Sequence, residues 1–387
     1  SAEVTLIEPP AHEDIRMAPQ RDAIESAAKL LSGARYPLIF AGGGALAADA
    51  SAELERLADK LQAPVVMSDY GRGVLSDRHP LALPTLGGRA VFPHADVVLV
   101  VGSRFADVGA PAAAWPQDKV KFIYMNTDPN SWAPPRQPTL ALQCDAKLGL
   151  AVLVDAVDGG RPSRAAQMKK VREWCELQLR EVQPQYDWMH SLRRALPEDG
   201  FFVQDLTQVC YYTRAFFPLY QPRTSITPGH QGTLGFAYPT ALGVAAANPG
   251  RAVLCASGDG GFGYGLADLA TAAKYQLGVV AIVFNDKQFS NVKNAHKATF
   301  GRSTAYELHN PDFAKLADAF GIHSATIRTP ADLDKVLPEA LASGKPWLID
   351  AQVGEMGDPW HLVRLRHSGP VRGGHTPPPN PLGEPAS

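Results

Sequence analysis

Two carboxylates and a run of glycines carry the chemistry most open to reading in this chain. The run is Ala256-Ser-Gly-Asp-Gly-Gly-Phe-Gly263. It follows the apolar stretch Ala252–Ala256, which reads as a buried strand, and precedes a stretch that reads as a helix. Backbone N–H groups at a helix start attract phosphate, and glycine lets a ligand approach the chain. Gly258, Gly260 and Gly263 satisfy the spacing GxGxxG, which alone is weak evidence for a dinucleotide. Asp259, between the first two glycines, would repel a pyrophosphate unless a divalent cation bridged the two. Asp286 follows 27 residues later, at the end of the next apolar strand. In a parallel sheet the carboxyl ends of neighbouring strands lie side by side, where ligands bind. Two carboxylates and a backbone carbonyl meeting there suit Mg²⁺, which takes oxygen ligands and bridges to phosphate. At this point three readings stay open: a metal–diphosphate site, a dinucleotide site, or a helix-capping Asp259 beside a turn-forming Asp286.

The elements that must position these groups alternate along the chain. A helix from Arg21 is followed by strands at Tyr36–Ala41, Pro64–Met67, Val97–Gly102 and Phe122–Met125, with a helix at Ala50–Leu61. A second unit has strands at Phe201–Val203, Ala252–Ala256, Val279–Phe284 and Trp347–Asp350, with helices at Tyr264–Tyr275 and Asp312–Phe320. Each strand is a continuous apolar run, so both sheets are parallel and buried on both faces. The fold class is therefore α/β, with two doubly wound parallel-sheet domains. The expected division is a linker or arm at 1–20, a first unit at 21–157, a charged connector at 158–192, a second unit at 193–365, and a Pro-rich tail at 366–387 that is disordered or lies as an extended arm.

Gly258-Asp-Gly260 followed by Asn285-Asp286 resembles the thiamine-diphosphate-binding motif, which begins with GDG and ends in paired asparagines. Asp286 stands where the second asparagine would be and keeps an oxygen donor. The resemblance implies thiamine diphosphate and Mg²⁺ as cofactors. Asp259 and Asp286 would hold the metal through side chains and Gln288 through its backbone carbonyl, with Gly258, Gly260 and Gly261 beside the diphosphate. Upstream, Gly229-His-Gln-Gly-Thr-Leu-Gly-Phe-Ala-Tyr-Pro239 resembles the GxGTMGFGLP segment of acetolactate synthases. This implies catalytic roles for Leu234, the bulky residue that bends the cofactor, and for Gly232, whose carbonyl accepts from the aminopyrimidine. Thr233 lies between them at the cofactor, and bringing the amine to the reactive carbon is catalysis by proximity. Gln208 matches a position near the diphosphate. His230 reads more readily as a hydrogen-bonded surface residue than as a ligand to cofactor or substrate.

The first unit resembles the central domain of the same family through Gly42-Gly-Gly44, Ser68–Gly73, Gly102-Ser-Arg-Phe105 and Asn126–Pro129. The flavin signature GARFDDR becomes Gly102-Ser-Arg-Phe-Ala-Asp-Val108, which leaves FAD open. The second unit is then the diphosphate-binding domain. The implied function is a component of a thiamine-diphosphate- and Mg²⁺-dependent 2-keto-acid decarboxylase or carboligase, acting on a substrate such as pyruvate. The alternatives are an NAD-dependent oxidoreductase using the glycines at 258–263, or a non-catalytic subunit of the same fold. Ala295 stands where acetolactate synthases carry a Trp favouring 2-ketobutyrate, which argues against a housekeeping role in branched-chain amino-acid synthesis.

In that family a pyrimidine-binding domain precedes the central domain and brings a glutamate to the cofactor ring. Glu307 and Glu355 lie in the second unit, on the diphosphate side, and are poor substitutes. The expectation is a second chain of about one domain carrying that Glu, in a homo- or hetero-oligomer of two-fold symmetry. A net charge of −2 gives no electrostatic case for nucleic acid or an anionic membrane. The four cysteines, Cys144, Cys175, Cys210 and Cys255, show neither zinc nor disulfide spacing. With no signal peptide or spanning segment legible, a reducing cytoplasm is expected.

Overall fold

The computed structural model describes residues 16–105, 120–132, 138–229, 231–357, 359–363 and 378–384. The first sheet holds β1 (Pro37–Ala41), β2 (Val65–Met67), β3 (Ala82–Pro84), β4 (Val97–Val101), β5 (Lys121–Asn126) and β6 (Leu140–Gln143). Their order is β3-β2-β1-β4-β5-β6, all parallel. The second sheet holds β7 (Phe201–Gln204), β8 (Ser225–Ile226), β9 (Val253–Gly258), β10 (Val279–Asn285), β11 (His323–Ile327) and β12 (Trp347–Gln352). Their order is β11-β12-β10-β9-β7-β8, again all parallel.

The sequence reading found eight of these strands and missed four: β3, β6, β8 and β11. All four are sheet edges. A central strand between helical layers must be apolar throughout, and β1, β4, β9 and β10 are buried at every residue. An edge strand lacks that demand. β3 ends in Pro84, β8 has two residues, and β11 carries His323, Ser324 and Thr326.

The connector is a packed element. Its helices Ala165–Leu179 and Gln185–Ala195 bury Met168, Val171, Trp188 and Met189. Trp188 meets Phe284 of β10 edge-on at 5.3 Å. The expected helix Tyr264–Tyr275 is a 3-10 stretch, Gly263–Asp268, running into an α-helix, Leu269–Tyr275. Of the tail, residues 378–384 lie against the connector and the first unit: Trp174 Nε1 donates to the Pro378 carbonyl and Asn380 Nδ2 to the Ala90 carbonyl, both at 3.1 Å. All four cysteines are buried and unbridged. No helix among the described residues is long and apolar enough to cross a membrane.

Candidate functional site

In the second sheet the chain leaves β7 for β8 on one side and leaves β9 for β10 on the other. Ligands bind at the carboxyl ends of strands flanking such a reversal. There β7 runs into Asp205, β9 into Asp259 and β10 into Asp286.

Asp259 is 3% exposed. Its Oδ1 accepts from Gly260 N at 2.9 Å, and its Oδ2 from Lys287 N at 2.8 Å and Asn310 Nδ2 at 2.6 Å. Lys287 has φ +59°, in the turn that brings the chain after β10 back toward Asp259. Asn310 also donates to Asn285 Oδ1 at 2.9 Å, and Asn285 Nδ2 to Asp350 at 3.0 Å. Asp259 is the first helical residue after Gly258, and two of its three donors come from beyond β10. That is not a simple helix cap.

Asp286 is half-buried. Its Oδ2 accepts from Gln208 Nε2 at 2.6 Å, from Gln288 Nε2 at 3.4 Å and from the Ser290 hydroxyl. Gln208 is held in turn by Met356 N, which donates to its Oε1 at 2.6 Å. Gln288 faces Glu307 in an antiparallel bridge. The flanking bonds, Phe289 N to Tyr306 O and Leu308 N to Lys287 O, leave the Gln288 carbonyl outside this pairing. Lys293 reaches Glu355 at 2.6 Å and Gln288 Oε1 at 3.2 Å. Glu307 and Glu355 therefore both sit on the Gln288 side.

Burial pushes the Asp259 and Asp286 carboxyls above the ordinary 3.8, and the charge of Asp286 raises Asp259 further. The donors described above on the pair are amides, a hydroxyl and backbone N–H groups, all neutral. A hard cation fits this set: it would be ligated by oxygen and would offset the cost of two buried negative charges.

The glycines of this segment are also constrained by packing. A methyl on Gly260 would overlap the Phe289 ring, and one on Gly261 would lie 2.9 Å from Asp205 Oδ2. On Gly258 it would lie 3.1 Å from Thr207 Oγ1. Protein neighbours leave no room for a side chain at Gly260 and Gly261 and crowd Gly258, and this holds whether or not a ligand approaches the segment. The helix after them, Asp259–Phe262, has four residues, which makes a poor dinucleotide helix.

Gly229, Gly232 and Gly235 all have positive φ, at +69°, +61° and +80°. They bend the segment before helix Ala237–Ala247 into an arch carrying exposed Thr233 and half-buried Leu234. A methyl on Gly235 would lie 2.7 Å from Tyr264 Cβ and 3.5 Å from the Gly261 carbonyl. The arch thus stands directly on the Gly258–Gly263 segment. The structure joins Gln208, Asp286 and Gln288 by hydrogen bonds with Asp259 at the neighbouring strand end, while in the arch Gly232 faces Leu206 and Gly235 faces Tyr264 and the Gly261 carbonyl. His230 lies outside the described residues.

Sequence reading missed Asp205, Asn310 and Ser290. Ser290 follows the metal segment, and Asp205 ends a strand three residues before Gln208, so both had a positional signal. Asn310 had none, because it returns from a loop on the far side of helix Ser290–Phe300.

Residues 205–351 match the family described as thiamine pyrophosphate enzyme, C-terminal TPP binding domain, and residues 24–153 match its central domain. The chain belongs to the thiamine pyrophosphate enzymes. It is 29% identical over 355 residues to a probable acetolactate synthase large subunit of Methanocaldococcus jannaschii, covering 84% of this chain and 59% of that one. It is 32% identical over 362 residues to a probable 2-ketoarginine decarboxylase of Pseudomonas aeruginosa, covering 91% and 62%. A sulfoacetaldehyde acetyltransferase of Castellaniella defragrans is 27% identical over 395 residues, covering 90% and 66%. The chain spans 59–63% of the first three relatives matched. Membership in the thiamine pyrophosphate enzymes takes the place of the dinucleotide reading of Gly258, Gly260 and Gly263.

In the thiamine pyrophosphate enzyme central domain, the strand order is that of dinucleotide-binding sheets. At its switch point Gly44 N donates to the Gly102 carbonyl at 2.9 Å, so the two loops close on each other. Phe105, at φ +49°, turns into a cluster with Phe40, Phe92 and Phe122. The end of the flavin-like signature, 106–108, lies outside the described residues.

Proposed function

We propose that this chain is the cofactor-holding component of a thiamine-diphosphate- and Mg²⁺-dependent enzyme that decarboxylates a 2-keto acid or joins its acyl carbon to an acceptor. The observation that supports this most is the Asp259–Asp286 pair at adjacent strand ends, one carboxylate buried and the other half-buried, whose hydrogen-bond donors among the described residues are neutral. Asp259, Asp286 and the Gln288 carbonyl would hold Mg²⁺, and Gly258, Gly260 and Gly261 would line the diphosphate. Gln208 orients Asp286. Gly232 would accept a hydrogen bond from the pyrimidine amine, and Thr233 and Leu234 would bend the cofactor toward its reactive carbon. Bound there, thiamine diphosphate supplies a carbon that adds to the keto group and a ring that takes up the electrons left when CO2 departs.

Among the relatives' names, that of the 2-ketoarginine decarboxylase gives a 2-keto acid as substrate, which supports this reading, while the sulfoacetaldehyde acetyltransferase acts on an aldehyde. The carboxylates described at this site, Asp205, Asp259, Asp286, Glu307 and Glu355, lie at the strand ends or on the Gln288 side of it. We infer that the glutamate activating the pyrimidine comes from a separate pyrimidine-binding domain. FAD is not part of the proposal.

Thermal shift tests it: a ligand that binds the native state raises its apparent stability. Thiamine diphosphate with Mg²⁺ is expected to raise the unfolding temperature, with little effect from either alone or from NAD. Stabilisation by NAD and none by thiamine diphosphate with Mg²⁺ would overturn the reading.

A further inference from the structure

Asp205 is 1% exposed and is assigned no ligand in the proposal above. Its Oδ1 accepts from Leu206 N at 2.9 Å. Its Oδ2 accepts from Gly235 N at 3.0 Å and from Ser257 Oγ at 3.2 Å. Gly235 is the last bend of the arch, and Ser257 is the β9 residue just before the diphosphate segment. The same oxygen occupies the space a side chain at Gly261 would need. One carboxylate therefore joins three pieces of chain: the end of β7, the arch and the Ser257–Gly261 segment.

Its neighbour Leu206 completes the arrangement. A methyl on Gly232 would lie 2.8 Å from Leu206 Cδ1, so Leu206 packs beneath the middle bend of the arch. Asp205 fixes the arch at Gly235, and Leu206 supports it at Gly232. Between the two points stand Thr233 and Leu234. A neutral side chain at 205 could not serve equally. Donors converge on both oxygens, and an amide in place of the carboxylate would set an N–H group against an N–H group. Burial raises this carboxyl above the ordinary value, and the donors from Leu206, Gly235, Ser257 and Ala237 oppose the rise. Charge is kept in the core only where hydrogen bonds hold it.

We propose that Asp205 is a positioning residue that sets the height and angle of the Gly232–Leu234 arch over the metal–diphosphate segment, and so governs binding of the cofactor's pyrimidine half independently of its diphosphate. This rests on the cofactor reading above.

The test uses the full chain with Mg²⁺ and two ligands, thiamine diphosphate and inorganic pyrophosphate, measured by calorimetry. Asp205→Asn is expected to weaken thiamine diphosphate by about tenfold or more and pyrophosphate by less than about twofold. Amide exchange in peptides covering 231–236 is expected to quicken. If Asp205→Asn does not fold, Leu206→Ala removes the other support and is read the same way. Equal loss of both ligands, or loss of neither, overturns the proposal. If the wild-type chain binds neither ligand, the cofactor reading fails, and exchange at 231–236 still decides the brace: unchanged exchange refutes it.

Discussion

At the residue scale, the placing of Asp259 and Asp286 at neighbouring strand ends was legible, because each follows a continuous apolar strand. The support of Asp259 was not legible, since Asn310 is remote in sequence and meets Asp259 only through the fold. That support changes the choice of variant. On a loose loop Asp259→Ala would be benign to the fold, but here it would strand the Asn310 amide and the Lys287 N–H, at a cost of about 1–3 kcal/mol each. Asp259→Asn keeps the shape and is the cleaner test of the charge. Asp286→Asn should retain Mg²⁺-dependent cofactor binding, because an oxygen donor remains. Both carboxyls have raised pKa in the fold. Such a group stabilises the native state below its unfolded value and loses that contribution as pH rises through its folded value. Without cation, stability should therefore fall over the window just above 3.8. The increment from Mg²⁺ with thiamine diphosphate should grow over the same window, since the ion binds the charged pair. Asp286→Asn relieves Asp259 of a neighbouring charge, so the increment should set in at lower pH. An increment independent of pH from about 4 to about 7 in the wild type would contradict this account.

At the element scale, the central strands were legible and the edges were not, for one physical reason. β1, β4, β9 and β10 lie between covered faces, so their sequences had to be apolar throughout. Hydrogen bonding to one neighbour suffices for an edge, and β8 and β11 carry polar residues that periodicity cannot distinguish from loop. The packing of the connector was hard to read for a related reason: its charged side chains mask a stripe of Met168, Val171, Cys175 and Leu179. The glycine segment was placed correctly, while its glycines answer to packing. Gly260→Ala should push Phe289 away and cost about 1–3 kcal/mol. Phe289→Leu in the same chain should recover part of that loss by making room for the methyl. Denaturant unfolding of the two single variants and the double variant measures the coupling. Strict additivity would mean that Gly260 is glycine for a reason other than Phe289.

At the scale of the whole molecule, two parallel sheets and a packed connector position the strand-end carboxylates, and the proposed function makes this one half of a cofactor site. The arch that would meet the pyrimidine is joined through Asp205 to the Ser257–Gly261 segment. The chain alone, with thiamine diphosphate and Mg²⁺, should turn over pyruvate little or not at all. Adding a pyrimidine-binding-domain chain that carries the activating glutamate should produce turnover in an assembly of two-fold symmetry. Full turnover by the 387-residue chain alone, verified by mass spectrometry, would refute the split site. The central claim is narrower: Asp259 and Asp286 hold a metal that holds a diphosphate. Calorimetric titration of the chain with thiamine diphosphate tests it most directly, with Mg²⁺, with EDTA, and in Asp259→Asn with Mg²⁺. The account predicts saturable binding with Mg²⁺, none with EDTA, and a loss of about tenfold or more in the variant. Equal affinity under all three conditions would contradict it.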